Sequence, residues 1–337
     1  LKKFLIIIFI SVTAGIFLFI SYFLADLFFI YADNPVNTDK TERIMIVSRG
    51  QKFETAANRL YEIGIIDNPF KFKWFARLKG YDKKIRAGEY GFSSSMSPAE
   101  ILKDMVSGKV RLCKITIPEG YNIYQIADLM ASEELVKKAD FLKAATSPAF
   151  VRGQGIDADT AEGYLFPDTY YFSKNIQPKQ IIFSMVKNFR AVFIPEWQRQ
   201  TNDMGFTIHE IVTLASIIEK ETGDPSERPL ISSVFHNRLK KKMRLESDPT
   251  VIYGIKDFDG NVKRSHLDKA TPYNTYKIKG LPPGPIANPG RDAIEAAIYP
   301  ADTGFLFFVS RGNGTHEFTA SLEEHNRAVR KYQLGNK

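Results

Sequence analysis

The sequence predicts an α+β protein carried on one N-terminal transmembrane helix. A small α/β module follows the anchor, and then an α+β domain with a central helical hairpin. Three observations predict this. The chain opens on an uncharged run, Phe4–Ala25 (FLIIIFISVTAGIFLFISYFLA). Short strand-like and helix-like segments then alternate, with capping and turn signals between them. Finally, one amphipathic helix over residues 206–223 (FTIHEIVTLASIIEKETG) carries a carboxylic acid on its apolar side.

The first run is long enough to cross a bilayer. Lys2 and Lys3 precede it, which places the N-terminus in the cytoplasm and everything after about residue 32 outside the membrane. A cleaved signal peptide would have a shorter apolar region ending in small residues, and the small pair Ala14-Gly15 lies mid-run, so an uncleaved anchor over residues 1–31 is expected. Residues 32–42 (ADNPVNTDKTE) read as a polar juxtamembrane linker.

At 337 residues the chain exceeds one ordinary core. Its net charge of +8 suits nucleic acid, anionic lipid or an acidic polymer. Lys and Arg are spread along the chain, and nucleic-acid motifs are absent from the sequence, so a nucleic-acid partner is not expected. Cys113 is the single cysteine, which rules out an internal disulfide.

Residues 43–110 read as the small module: a strand over 43–47, a helix with Phe53, Ala56, Ala57 and Leu60 on one face, a second helix over 69–79, a strand over 85–90, and a helix opened by the capping box Ser97-Pro98-Ala99-Glu100. The following stretch echoes it. Val47-Ser48-Arg49-Gly50 matches Ile117-Pro118-Glu119-Gly120, Pro98 and Ile101 match Pro178 and Ile181, and Gly88-Glu89-Tyr90 loosely matches Glu162-Gly163-Tyr164. Residues 111–190 are therefore read as a second copy of the unit. The aromatic stretch 162–172 (EGYLFPDTYYF) suits either a sugar groove or a buried strand pair.

In the central helix, Thr207 and Glu210 form a capping box and Gly223 and Pro225 supply a stop. At about 100° per residue, Glu219 falls between the directions of Ile208 and Val212, inside the apolar stripe. Burial and the negative end of the helix dipole both favour its neutral form. A carboxylic acid that keeps its proton near neutral pH is what a general acid needs. A buried glutamate paired with an arginine or lysine is the other reading. Glu221 faces elsewhere and is expected at the surface or behind the site. Asp224-Pro225-Ser226-Glu227 reads as a capping box opening the hairpin's second helix, on which Arg238 is a plausible partner for an acidic group.

Beyond it, the loop 280–290 (GLPPGPIANPG) is stiffened by its X-Pro turns and suits the wall of a site. A hairpin over 305–318 and a last helix capped by Ser321 and Glu324 close the chain. The sequence holds no Gly-x-Ser-x-Gly elbow, zinc helix or phosphate loop, and its histidines do not pair at metal-ligand spacing. Metal-free, cofactor-free acid–base chemistry is what remains.

Taken in order, LASIIEKET (214–222), SERPLISSVFHNRL (226–239), SDPTVIYG (247–254), PYNTY (272–276), GLPPGPIANPG (280–290) and the FVSRGNGTHEF hairpin closely resemble the endolytic murein transglycosylases of the MltG or YceG-like family. The resemblance covers residue 110 to the end, so 111–337 is expected to be the catalytic domain. The layout of 43–110 is similar to LysM modules, which bind N-acetylglucosamine-containing glycans; a spacer without ligand fits it equally. The family resemblance implies cleavage of peptidoglycan strands between N-acetylmuramic acid and N-acetylglucosamine, leaving a 1,6-anhydro end. It implies that the first Glu of EKE, Glu219, is catalytic, that no cofactor or metal is needed, and that the protein works beside peptidoglycan synthases at the inner membrane. Asn237, Asp248, Tyr253, Asn274 and Tyr276 are the polar motif residues able to bind sugar hydroxyls or acetamido groups, and structural hydrogen bonds are the alternative for each. A hydrolytic muramidase with Asp248 as partner carboxylate and a non-catalytic wall-binding scaffold are the competing functions.

Overall fold

The computed structural model describes residues 2–174, 176–255 and 260–335. It mixes helix and strand and divides into two compact units: residues 1–113 with 171–175, and 114–170 with 176–337.

The first unit begins with α1 (Lys2–Ala25), which buries none of its side chains. With the wider turn that follows to Tyr31, it is long and apolar enough to cross a membrane. The chain continues through β1 (Arg43–Val47), α2 (Phe53–Glu62), α3 (Pro69–Leu78), β2 (Gly88–Phe92) and α4 (Pro98–Ser107). β1 and β2 pair antiparallel, with Met45 opposite Tyr90. The strand expected over 85–90 starts later because the Arg86 N–H bonds to Met105 O, which draws the backbone away from β1. At Gly88 the ladder passes so close to Val110 that a Cβ would lie 2.1 Å from its Cγ1. α4 starts on the expected Ser97/Glu100 box and ends on Gly108, at φ 74°, the left-handed conformation that glycine adopts without penalty.

The predicted linker is not loose. Ala32 is buried, its carbonyl accepts from Ala99 N, and Asn37 and Asp39 bond to Ser94 and Ser95. Leu27 and Tyr31 are buried in the core of the same unit with Phe72 and Phe75.

The remaining elements are β3 (Cys113–Thr116), α5 (Ile123–Ser132), α6 (Lys138–Ala145), α7 (Pro148–Gly153), β4 (Thr169–Phe172), α8 (Pro178–Val192), α9 (Pro195–Asp203), α10 (Ile208–Glu221), α11 (Arg228–Lys240), α12 (Asp248–Tyr253), α13 (Arg264–Asp268), α14 (Arg291–Ile298), β5 (Phe307–Ser310), β6 (His316–Thr319) and α15 (Leu322–Val329). Thr116 and Thr169 sit side by side with hydroxyls 2.9 Å apart. In this stretch the second strand is 169–172, and Gly163 lies in a turn at φ 86°, so Glu162-Gly163-Tyr164 is not the counterpart of β2. Of the aromatic segment, Tyr164, Tyr170 and Phe172 are buried, so packing is their main role.

α10 is the heart of the second unit. Every residue from Ile211 to Ile218 is buried. Its most extensive neighbour is α14, whose Ala293, Ala296 and Ala297 let the two backbones approach. α11 packs there too, through Ile231, Val234 and Phe235. The pair expected as a hairpin is thus part of a three-helix cluster. The link between α10 and α11 is also more elaborate than a sharp turn. Thr222 is extended, Asp224 caps a single 3-10 turn over 225–227, and the α-helix starts at Arg228. Glu227 does not close the expected capping box, because its carboxylate instead accepts from His316 N and Nδ1, at 2.8 and 2.7 Å.

Candidate active site

The loop 280–290 lies along α10 and is pinned to it at three places. His209 Nε2 meets Pro283 O at 3.1 Å, Ser216 Oγ accepts from Ile286 N at 3.0 Å, and Glu219 Oε2 accepts from Gly290 N at 2.9 Å. Those anchors span about 15 Å of helix at roughly 1.5 Å per residue. The prolines fix the loop's path, so the Gly290 N–H is aimed at the carboxylate with little entropy left to lose.

Glu219 Oε1 accepts from Arg228 Nη2 at 3.0 Å. Both side chains are close to fully covered, at 6 % and 7 % exposure. The arginine is not Glu219's alone. Its guanidinium also stands 3.5 Å from Glu119 and 3.6 Å from Asp292, both of which are largely exposed. The cluster thus has a covered floor and an open carboxylate rim. Two glycines line it, Gly120 in the left-handed conformation and Gly290 where an added Cβ would clash. Gly120, at φ 73°, would place a Cβ 3.5 Å from Glu219 Cγ, and a Cβ on Gly290 would land 2.0 Å from Glu119 Oε1.

These contacts bias the carboxyl in opposite directions. Burial pushes Glu219 above the usual carboxylate range; the Gly290 N–H, Arg228 and Lys220 pull it back, and Glu119 pushes it up again. The upward push wins. Both expectations for Glu219 therefore meet in one residue: it has an arginine partner, and it still holds its proton more tightly than a free glutamate.

A second buried carboxyl supports the first. Glu162 accepts from Ile123 N at 3.1 Å, Tyr253 OH at 3.0 Å and Asn288 Nδ2 at 3.0 Å. Burial raises it to about 8 against the pull of these donors. Asn288 in turn donates to Tyr121 O, accepts from Leu165 N, and exchanges backbone bonds with residues 120 and 121. The result is a cross-brace that fixes the 117–121 turn and the end of the 280–290 loop on either side of Glu219.

The polar residues singled out in the sequence divide into groups. Tyr253 belongs to this brace, donating to Glu162 with its ring 4.9 Å from Tyr273. Tyr276 donates to Asp248 at 2.7 Å, forming a pair at the start of α12. Glu221 lies behind that pair rather than at the surface; it accepts from Ser247 Oγ, and burial raises it to about 7. Asn237 and Asn274 are brought to neither group. Asn237 donates to the carbonyls of Thr303 and Phe305, and Asn274 to those of Leu267 and Lys269. Arg238 does pair with an acidic group, Glu246 at 3.6 Å, but not with Glu219; it also bonds to Leu306 O and Leu245 O. The sequence does not single out Arg228, Glu119 or Glu162 for the site, and it offers Asn288 and Gly290 only as part of the 280–290 wall. Ile-Pro-Glu-Gly at 117–120 was visible as a turn, but nothing local marked it as a neighbour of α10.

A buried carboxyl with a raised affinity for its proton, an arginine within reach and an open rim is the equipment of an acid–base enzyme. The model of the YceG-like family matches residues 45–331. The endolytic murein transglycosylase of Bacillus subtilis (strain 168) is 33% identical over 315 residues, 88% of this chain and 87% of the relative. That of Streptococcus pneumoniae serotype 2 is 28% identical over 331 residues, 88% of this chain and 60% of the relative. A crystal structure of a yceG-like protein from Listeria monocytogenes superposes with a TM-score of 0.60 at 34% identity, covering 86% of this chain and 99% of that one. The chain belongs to the YceG-like family.

Proposed function

We propose that this protein is an endolytic murein transglycosylase in which Glu219 is both general acid and general base. The observation that carries the reading is the balance around that carboxyl. A one-carboxylate mechanism needs a group that gives up a proton and takes one back within a single turnover. Burial and Glu119 favour the protonated form, while Gly290 N–H and Arg228 favour the ionised form. Neither state is locked.

In the first step, protonated Glu219 donates to the glycosidic oxygen between N-acetylmuramic acid and N-acetylglucosamine as the C1–O bond breaks. Positive charge develops on the muramyl ring, and Glu219 is left as a carboxylate held by Arg228 and Gly290 N–H. It then removes the proton of the C6 hydroxyl of the same sugar. O6 closes onto C1, giving the 1,6-anhydro end and restoring the acid. The nucleophile comes with the substrate, so effective molarity replaces a positioned water. Ordinary glycosidases need a second carboxylate for that task.

The anchor places this chemistry at the membrane. With Lys2 and Lys3 on the cytoplasmic side, the second unit lies outside the cell membrane, where synthases release new strands. In sequence, residues 43–110 separate the anchor from Glu219, and their β1–α2–α3–β2 order suits a LysM-like module that guides glycan.

Glu219→Gln tests the reading. The amide keeps the shape but cannot donate and recover the proton. Cleavage of un-crosslinked glycan is expected to fall by roughly a hundred- to ten-thousand-fold, the span for a lost general acid or base. A variant that still cuts within a few-fold of wild type removes Glu219 from the mechanism.

A further inference from the structure

α3 presents two apolar faces. Phe72, Phe75 and Ala76 are buried in the core of the first unit. Phe70, Trp74 and Leu78, spaced four residues apart, form a second stripe and are 57, 36 and 47 % exposed. A helix on a soluble surface carries one apolar stripe, and a second, aromatic one marks a contact surface.

The stripe continues the membrane anchor. The Phe70 ring stands 6.4 Å from Phe23 in the last turn of α1, and 6.3 Å from Trp74. Phe28 packs edge-on against Phe75, Lys71 pairs with Asp26 at 2.6 Å, and Tyr31 OH donates to Asn68 O. The contact therefore joins α3 to the end of the anchor. If about 20 residues of α1 cross the hydrocarbon, Phe23 marks its outer boundary.

The chemistry around the stripe fits that depth. Residues 69–86 contain seven Lys or Arg and one Asp. Arg77 lies over the Trp74 ring at 5.8 Å and Lys79 over Phe28 at 5.4 Å, while Lys83 and Lys84 are exposed. Aromatic rings gather at the headgroup level, and basic side chains beside them reach anionic headgroups.

We propose that α3 is a second membrane contact, with its Phe70–Trp74–Leu78 face seated in the headgroup layer of an anionic bilayer beside the exit of the anchor. This rests on the reading of α1 as a membrane span. Such a contact fixes the first unit against the lipid surface.

The test uses the full chain in vesicles of phosphatidylcholine and phosphatidylglycerol, with or without acyl-chain bromine as a depth-sensitive quencher. Trp197, the other tryptophan, is buried in the second unit and gives a constant background. The emission lost in Trp74→Phe is the Trp74 signal, and bromolipid is expected to quench about half of it or more at interfacial depth. Phe70→Ser with Leu78→Ser should weaken that quenching while α1 still resists carbonate extraction. A Trp74 signal untouched by bromolipid in a carbonate-resistant chain overturns the proposal and leaves the anchor standing. So does one shielded from aqueous iodide but not quenched by lipid, which marks a protein partner. A chain released by carbonate overturns the anchor reading and this one with it.

Discussion

On the proposed mechanism Glu219 is the acid, and burial biases its carboxyl toward the protonated form against the pull of Gly290 N–H and Arg228. The folded carboxyl titrates above its ordinary value, so the acid form is full at low pH and is lost as pH rises through the raised value. Activity should decline on that alkaline limb. Glu119 contributes to the raising. Glu119→Gln removes that negative neighbour and is expected to move the alkaline limb of kcat/KM to lower pH, an outcome read from a pH–rate profile. An unmoved limb would mean that Glu119 does not act on Glu219 in solution. Arg228→Gln acts the other way. It favours the acid at rest but strips the carboxylate of its partner after proton donation. A hydrogen bond to a charged group contributes about 1.5–3 kcal/mol, so kcat should fall roughly ten- to a hundredfold even where Glu219 is fully protonated. At this scale the sequence was informative for Glu219 itself, because helical spacing alone put a carboxyl in an apolar stripe. It was silent on Arg228 and Glu119 and offered Gly290 only as part of a loop suited to a site wall; all three act on Glu219 from 9 to 100 residues away in the chain. Periodicity carries no signal for such contacts.

Among the elements, the brace between the 117–121 turn and the 280–290 loop is what keeps the site in register. Glu162→Ala leaves the Ile123 N–H, the Asn288 amide and the Tyr253 hydroxyl short of an acceptor. Asn288 keeps its bond to Tyr121 O, so two of these groups are left unpaired, and at about 1–3 kcal/mol each the cost should be about 2–6 kcal/mol. Denaturant unfolding measures this. The same carboxyl makes stability depend on pH. Its folded value, about 8, lies above the unfolded one, so its contribution is full below about 4.3 and is lost as pH rises toward 8. Glu221, raised to about 7, adds to the same slope. Stability of the wild type should therefore fall between about pH 5 and 8, and Glu162→Gln should flatten part of that fall. A slope equal in both proteins would remove Glu162 as its source. Element boundaries were legible where local chemistry decides them: Ser97, Thr207 and Ser321 cap the helices expected of them. They were misread where a distant partner intervened, as when Met105 O captured Arg86 N or His316 captured Glu227.

Across the whole molecule, the anchor and the first unit are less separable than the sequence suggested. A polar stretch over 32–42 reads as a tether, yet Leu27 and Tyr31, before it, are buried in the first unit's core. Composition cannot reveal that, because the same apolar letters serve lipid and core. A soluble version beginning near residue 40 loses both side chains. At about 1.5–3 kcal/mol for each large apolar side chain buried, it should be less stable by roughly 3–6 kcal/mol than one beginning at Asp26. Matched unfolding midpoints for the two would instead place Leu27 and Tyr31 outside the folded core.

The released product carries the signature of the reaction. The full chain, incubated with un-crosslinked nascent glycan, should yield internal cuts whose muramyl ends carry the 1,6-anhydro ring, lighter by one water than a hydrolysed end, as read by mass spectrometry. Reducing muramyl ends heavier by that water would show that a water, not the C6 hydroxyl, attacks the sugar, and would contradict the single-carboxylate mechanism.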